Sequence, residues 1–404
     1  LNLDEKETRR MVLHILELKE IYSDYYFLDE NCSFNILFLI EAGRPSLHLV
    51  DYYWNSWGYG VIPSDTVNVV SKSGIVSKVL YRPSPVTQIR YLATQLDKRD
   101  QKSAKTIAIH GLSSDTLVSS QISREEKRRT LALAEEYLKY RYSRMELRQE
   151  EFQEQFFQLA DAAKGLGVDS KSHEKIPEPT PPESRYTPAK VDFGLGYRED
   201  SPFVEITLRP AYRDLLELED NSYEASQVKI LEVSGRYYEK GGTIKLQEAT
   251  ILNILSLSAR DIFFRPISWK LLAGVEQNLF PNGDEDIVFQ LSAGGGWSFS
   301  HPFWGLFYAL IEVDTKLSSR FIDNVAFGPG ATIGLLKKVS ERWNVGFYGQ
   351  GIFYELGENY KLYKCGFNQL YELTKNSAIF LNFGTERADS ETRTEIRMGW
   401  SYYF

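Results

Sequence analysis

Glu391-Thr-Arg-Thr-Glu-Ile-Arg-Met-Gly-Trp-Ser-Tyr-Tyr-Phe404 closes the chain, and its alternation decides how the rest is read. From Ile396 every second residue is apolar or aromatic: Ile396, Met398, Trp400, Tyr402 and Phe404. A solvated terminus tends to fray into polar residues. This one reads as a strand with one face for an apolar medium and an aromatic girdle at its end.

Working outward from that strand, the period stays at two back to Val191. Strands are expected near 191–199, 202–214, 228–239, 243–257, 268–279, 287–299, 303–317, 325–338, 341–355, 359–373, 377–387 and 392–404. These make about twelve, an even number, each near the length that crosses a bilayer when tilted. Val325, Phe327, Ala331, Ile333 and Leu335 share one face, as do Ile379, Leu381 and Phe383. Glu239-Lys-Gly-Gly242, Leu356-Gly-Glu-Asn359 and Lys375-Asn-Ser377 read as tight hairpin links. A soluble β-sandwich or lipocalin-like barrel is the competing reading. Pro329 inside a strand has to sit at a bulge in either case. Strand number, aromatic placement and the closing strand favour an antiparallel transmembrane β-barrel over residues 191–404, with short loops at both ends.

The closing strand also resembles the C-terminal assembly signal of Gram-negative outer-membrane β-barrels: a polar residue (Arg397), a glycine two later (Gly399), then the aromatics Tyr402 and Phe404. The resemblance implies residence in the outer membrane, with membrane lipid and the barrel assembly machinery as partners. Composition agrees. The 404 residues carry a net charge of −8, which speaks against nucleic acid, and 14% aromatics including 25 tyrosines. No run of about eighteen apolar residues offers a transmembrane helix, which does not bear on barrel strands.

Residues 1–163 read as a mostly helical domain. Asn2 and Glu5 give a capping-box-like start, followed by an apolar stripe over Met11, Leu13, Ile15, Leu16, Leu18 and Ile21. Phe34 to Gly43 is a second apolar segment, with Gly43 as its stop and Pro45 beyond. Residues 46–85 read as irregular, and a long helix runs from Ser123 to about Ala163. Residues 164–190 form a proline-rich linker. The chain opens on helix-like sequence with no export signal, so a processed or truncated start is expected.

Cys32, in Tyr25-Tyr-Phe-Leu-Asp-Glu-Asn-Cys-Ser-Phe34, precedes an apolar helical run and so falls at a helix N-terminus. There the free N–H groups favour a thiolate, the form that thiol acyl-transfer enzymes use. A lone cysteine at such a place is more often a small packed residue. Together with Glu41-Ala-Gly-Arg-Pro-Ser46 and Val61-Ile-Pro-Ser-Asp-Thr-Val67, however, the segment resembles the periplasmic domain of the Lnb-type lipoprotein N-acyltransferase family. That domain is similar to permuted NlpC-type, papain-like folds, some of whose members are joined to a barrel. The resemblance implies Cys32 as nucleophile, with Asn31 and Asp29 shaping its site. It implies acyl transfer or hydrolysis on lipoproteins or phospholipids, with lipoproteins or other envelope proteins as partners. The pattern is incomplete, since the general-base histidine of such folds lies upstream of the cysteine. His14, His48, His110, His173 and His301 match no such element. The chain's own N-terminal portion is therefore a further expected partner, and a non-catalytic pore or scaffold is the alternative.

No cofactor is expected. Asp284, Glu285 and Asp286 lack an ordered ligand spacing and read as a solvated turn rather than a metal site. Gly294-Gly-Gly296 opens no helix, so close strand packing is its reading. Cys365, between Lys364 and Gly366, is expected to be a packed small residue.

Overall fold

The structure, a computed structural model, describes residues 1–26, 30–54, 61–112, 123–166, 176–179, 181, 186–217 and 223–404. Twelve antiparallel strands follow one another: β1 (Lys190–Arg198), β2 (Ser201–Arg209), β3 (Glu224–Tyr238), β4 (Thr243–Ser258), β5 (Ser268–Leu279), β6 (Glu285–His301), β7 (Gly305–Leu317), β8 (Val325–Ser340), β9 (Trp343–Tyr354), β10 (Tyr360–Thr374), β11 (Ser377–Ala388) and β12 (Glu391–Tyr403). Each pairs with its neighbours in sequence, and β1 pairs with β12 from Lys190↔Tyr403 to Arg198↔Glu395. That last ladder closes the barrel and removes both sheet edges. Short extensions at Ala211–Arg213 and Leu356–Gly357 lengthen the walls beside β3 and β8.

Strand alternation sorts the side chains between two media. Ile396, Met398, Trp400, Tyr402 and Phe404 all face outward, with Met398 62% exposed, while Ser401 and Tyr403 are fully buried inside. Trp400, Tyr402 and Phe404 lie in a row, the first pair tilted with ring centroids 5.7 Å apart and the second stacked at 6.2 Å. The outward face continues through Phe193, Leu195, Ile206, Ile311, Ile333, Phe347 and Ile379 around the barrel. Apolar groups outside and charges inside invert a soluble core, which is what a hydrocarbon solvent selects. Among the described residues no helix is long and apolar enough to cross a membrane, a statement that does not concern strands.

Pro329 sits where expected. Gly330 pairs with Ile352, but Phe327 pairs with Leu356, so three steps on β8 oppose four on the facing chain. The bulge spares the ladder the N–H that proline lacks. The glycine run packs strands closely: a Cβ on Gly296 would lie 2.0 Å from the Ala309 carbonyl oxygen. Cys365 departs from expectation. It is exposed on the outer wall, because Lys364 and Gly366 on either side take the lumenal positions.

The loops are not equally short. At the end opposite the chain termini the links are brief, down to Glu199-Asp200 and Asp389-Ser390. At the end where the chain enters, two links are longer, between β2 and β3 and between β4 and β5.

The N-terminal helices are α1 (Glu5–Glu17), α2 (Cys32–Gly43), α3 (Asp51–Trp54), α4 (Pro63–Lys72), α5 (Pro85–Thr94), α6 (Lys98–His110), α7 (Arg124–Ser143) and α8 (Gln149–Gly165). The stretch expected to be irregular thus holds α3 and α4, the latter started by Pro63 at its first turn. The long helix expected from Ser123 breaks at residues 144–148, where Met145 takes a positive φ of 58°. Compactness divides the chain after Lys78. One unit holds Leu1–Lys78 with the barrel; the other holds Val79–Pro179 with Asp261–Arg265. In that second unit Ile89, Ile107, Leu133 and Leu138 are buried around Phe263, whose ring meets Tyr137 edge-on at 5.0 Å. Asp261 pairs with Arg90 at 3.0 Å, and the Lys105 ammonium donates to the Ile262 carbonyl at 2.6 Å.

Candidate functional site

Cys32 is the first residue of α2, and its side chain is exposed. The residue before it holds the helix start in place. Asn31 is buried; its Oδ1 accepts from the Ser33 and Phe34 amides at 3.1 Å each and from Ser33 Oγ at 2.6 Å. Its Nδ2 donates to the Val61 carbonyl at 2.6 Å, tying the start of α2 to the chain that enters α4. Asn31 is therefore an N-cap and a strut. Asp29 lies outside the described residues.

The other segments of the motif are scaffold as well. Glu41 accepts from the backbone amides of Leu49 and Val50, fixing the entry to α3. Gly43 lets α1 come close: a Cβ there would stand 3.3 Å from the Glu7 carbonyl oxygen. Arg44 grips Glu7 at 2.6 and 2.7 Å and reaches the Asn2 backbone at 2.8 Å. The Arg44 guanidinium, helped by the Asp4 amide, holds the Glu7 carboxyl down to about 2. Phe34, Leu37, Ile40, Leu49, Val50, Val61 and Ile75 form the small core behind the cysteine.

Among the described residues no histidine is bonded to the Cys32 thiol. His14 meets Glu17 at 3.2 Å and His48 meets Asp51 at 3.4 Å, each three residues on in the chain. His301 Nδ1 accepts from the Phe303 and Trp304 amides in the β6–β7 turn. His110 ends α6, and His173 lies outside the described residues. One titratable pair escaped the sequence reading. Burial pushes the Asp65 carboxyl up to about 6, against the opposing pull of Lys72. Burial, with Asp65 adding to it, also raises the Tyr53 phenol. Nothing in the local pattern of Asp65, a first-turn helix residue, marks it as desolvated.

The barrel interior is charged throughout. At the outer end Arg236 bridges Glu205 and Glu395, and Arg393 bridges Glu285 and Glu386. Glu285 therefore turns inward, which corrects the solvated-turn reading for that residue; Asp284 stays outside, with Arg320. Midway, Glu276 meets Lys316 at 2.9 Å and Lys364 at 3.2 Å. At the periplasmic end Asp214–Glu217 folds into the lumen. Arg209 holds Glu217 at 3.0 and 3.2 Å, the Tyr403 hydroxyl donates to Glu217 at 3.1 Å, and Asn344 donates to the Leu216 carbonyl at 2.9 Å. A chamber of about 460 Å³ remains between these layers. Arg397 of the assembly-signal pattern lies inside, paired with Glu205 and 5.0 Å from the Phe380 ring centroid. Gly399 gives β12 its close approach to β1. Among the described residues no group of three or more His, Cys, Asp or Glu side chains is placed to hold a metal ion.

Comparison with known proteins divides the chain similarly. Residues 1–73 match the Lnb N-terminal periplasmic domain, and residues 79–161 match a domain of unknown function, DUF7842. Among solved structures the barrel is similar to the NanC porin (8% identity, 53% of this chain and 100% of that one, TM-score 0.32). It is also similar to an anion-selective porin from Comamonas acidovorans (8%, 54% and 98%, 0.28) and to OmpT of Vibrio cholerae in its in-vitro folded form (8%, 54% and 98%, 0.26). No curated protein matches. The closed wall with its apolar outer face and the periplasmic domain before it make this an outer-membrane β-barrel with its N-terminal domain in the periplasm. Across residues 179–403, more than half of its length, the chain matches, and so belongs to, the family described as a domain of unknown function, DUF7840.

Proposed function

We propose that this protein is a thiol acyl-transfer or acyl-hydrolysis platform fixed to the outer membrane, with Cys32 as nucleophile. The observation that carries the reading is an exposed thiol at the first turn of a helix whose start is immobilised by the buried Asn31. A positioned thiol at a helix N-terminus is suited to attack a carbonyl. Cys32 Sγ would form a bond to the acyl carbon of a lipid or lipoprotein ester while the ester C–O bond breaks and the alcohol leaves with the thiol proton. An amine or water would then form the new bond to that carbon, the C–S bond would break, and the thiol would regain a proton. The barrel's contribution is positional, keeping the thiol domain beside lipid. Its lumen, crossed by ion pairs and entered by Asp214–Glu217, supports an anchor better than a pore.

The reading assigns the nucleophile to Cys32 and no residue to the general base. The second reading is a non-catalytic anchor whose helices dock envelope proteins, favoured by the lack of a histidine bonded to Cys32 among the described residues. Cys32→Ala in cells, followed by mass spectrometry of lipoprotein N-termini, separates the two. Loss of acylation with the barrel still folded is the expected result; unchanged acylation refutes the enzymatic reading.

A further inference from the structure

We propose that the outer wall over β12, β1, β2 and β3 holds one acyl chain of an outer-leaflet lipid at a fixed position. A groove of about 640 Å³ runs there, lined by Leu195, Tyr197, Val204, Tyr237, Ile396 and Met398. All six side chains are exposed and belong to the outward apolar face. The medium against them is therefore hydrocarbon, and the occupant follows from continuity with that face.

The groove lies over the two shortest of the twelve strands. β1 and β2 are nine residues each, against thirteen in β12. Their hairpin turns at Glu199-Asp200, so β1 stops opposite Glu395 while β12 continues to Glu391 with β11 alone as partner. Behind the groove the lumenal positions of β1 are Gly194 and Gly196, and the latter is so close to Phe203 that a Cβ would lie 2.4 Å from its ring. Gly196 and Phe203 are themselves part of the groove's lining. The recess reaches from mid-wall, where Leu195 pairs with Met398, to Pro202 and Glu239 at the rim remote from the chain termini, the outer-leaflet side.

A concavity facing lipid cannot fill with water at no cost, and left empty it forfeits dispersion contacts along its lining. A single chain lying in it recovers those contacts. Ordinary boundary lipid, by contrast, slides over a convex wall.

The test uses the full chain reconstituted in phosphatidylcholine vesicles containing a phosphatidylcholine whose acyl chain bears a diazirine. After photolysis, labelled residues are mapped by mass spectrometry. Labelling at Leu195 and Val204 is expected to exceed that at the lipid-facing residues Leu291 and Val313 by about five-fold or more, an occupancy difference worth about 1 kcal/mol. Val204→Trp, folded by its heat-modifiable gel mobility, should bring Leu195 down to the Leu291 level; Met398→Phe serves if that variant does not fold. Equal labelling at groove and reference sites overturns the proposal, as does persistence of the excess in the filled variant. A dimer joined across Leu195 and Val204 by a separate protein–protein cross-linker, with lipid adducts missing there, overturns it too, in favour of a second copy.

Discussion

A single methyl group tests how the barrel closes. Built on Gly399, it would stand 2.3 Å from the Phe193 carbonyl oxygen, 2.5 Å from Cζ of Phe380 and 2.9 Å from Gly194 Cα. The Phe380 ring can rotate, but the other two atoms are backbone of β1, the strand that β12 must pair with. Restoring ordinary contact would move that ladder by about an ångström, and overpacking of this kind costs about 1–3 kcal/mol. Gly384, on neighbouring β11, supplies the control: a Cβ there has only the Cys365 carbonyl oxygen within reach, at 3.8 Å. Gly384→Ala should stay within about 0.5 kcal/mol. The assay is refolding of purified full-length chain from urea into vesicles without assembly factors, with the folded fraction read from heat-modifiable mobility. Gly399→Ala is expected to fold at a clearly lower urea midpoint than Gly384→Ala. Equal midpoints would refute the closure argument. A defect seen only in cells would then assign Gly399 to recognition by the assembly machinery instead.

Two further outcomes are expected. Arg209→Met takes the paired guanidinium from Glu217, which keeps the Tyr403 hydroxyl and the Asp214 amide as donors with Lys190 3.9 Å away, and should cost about 3–5 kcal/mol in the same urea titration. Arg209→Met with Glu217→Gln should recover most of it, and a single-variant loss below about 1 kcal/mol would count against a buried pair at the lumen mouth. Asp65 gives a pH dependence. With its folded carboxyl up at about 6 against an ordinary 3.8, the folded state binds the proton more tightly, so ionisation opposes folding as pH rises through that window. Asp65→Asn should therefore slow hydrogen exchange in α4 at pH 7, by on the order of 2 kcal/mol, and match the parent below about pH 4. No difference at pH 7 would show Asp65 to be solvated.

The barrel was legible because a hydrocarbon solvent leaves a local mark. Period-two alternation in Ile396–Phe404 and its counterparts gave strand number, direction and outward face, and Pro329 even announced its bulge. The same alternation also carried the lumenal charges, since Glu312, Asp314 and Lys316 occupy the positions that the apolar residues leave. Their partners were not legible. Glu276 meets Lys316 and Lys364 across the lumen, and no spacing along one strand encodes that distance. Cys365 was misplaced for a simpler reason. One cysteine between a lysine and a glycine offers no contrast of polarity, so only the registers of β9, β10 and β11 decide its face.

At the N-terminal end the sequence named Cys32 and the start of its helix, because an N-cap and an apolar run are local features. What Asn31 does there depends on Val61, thirty residues on, and only folding brings that carbonyl to its amide. Likewise the helical unit of residues 79–179 takes Phe263 into its core from a segment between two barrel strands. Sequence alone thus determined which face of each strand meets lipid and where the one candidate thiol sits, since solvent and helix capping act over a few residues. Tertiary structure decided which charges neutralise one another, which segments complete a core and where the wall is recessed, because those outcomes depend on groups far apart in the chain.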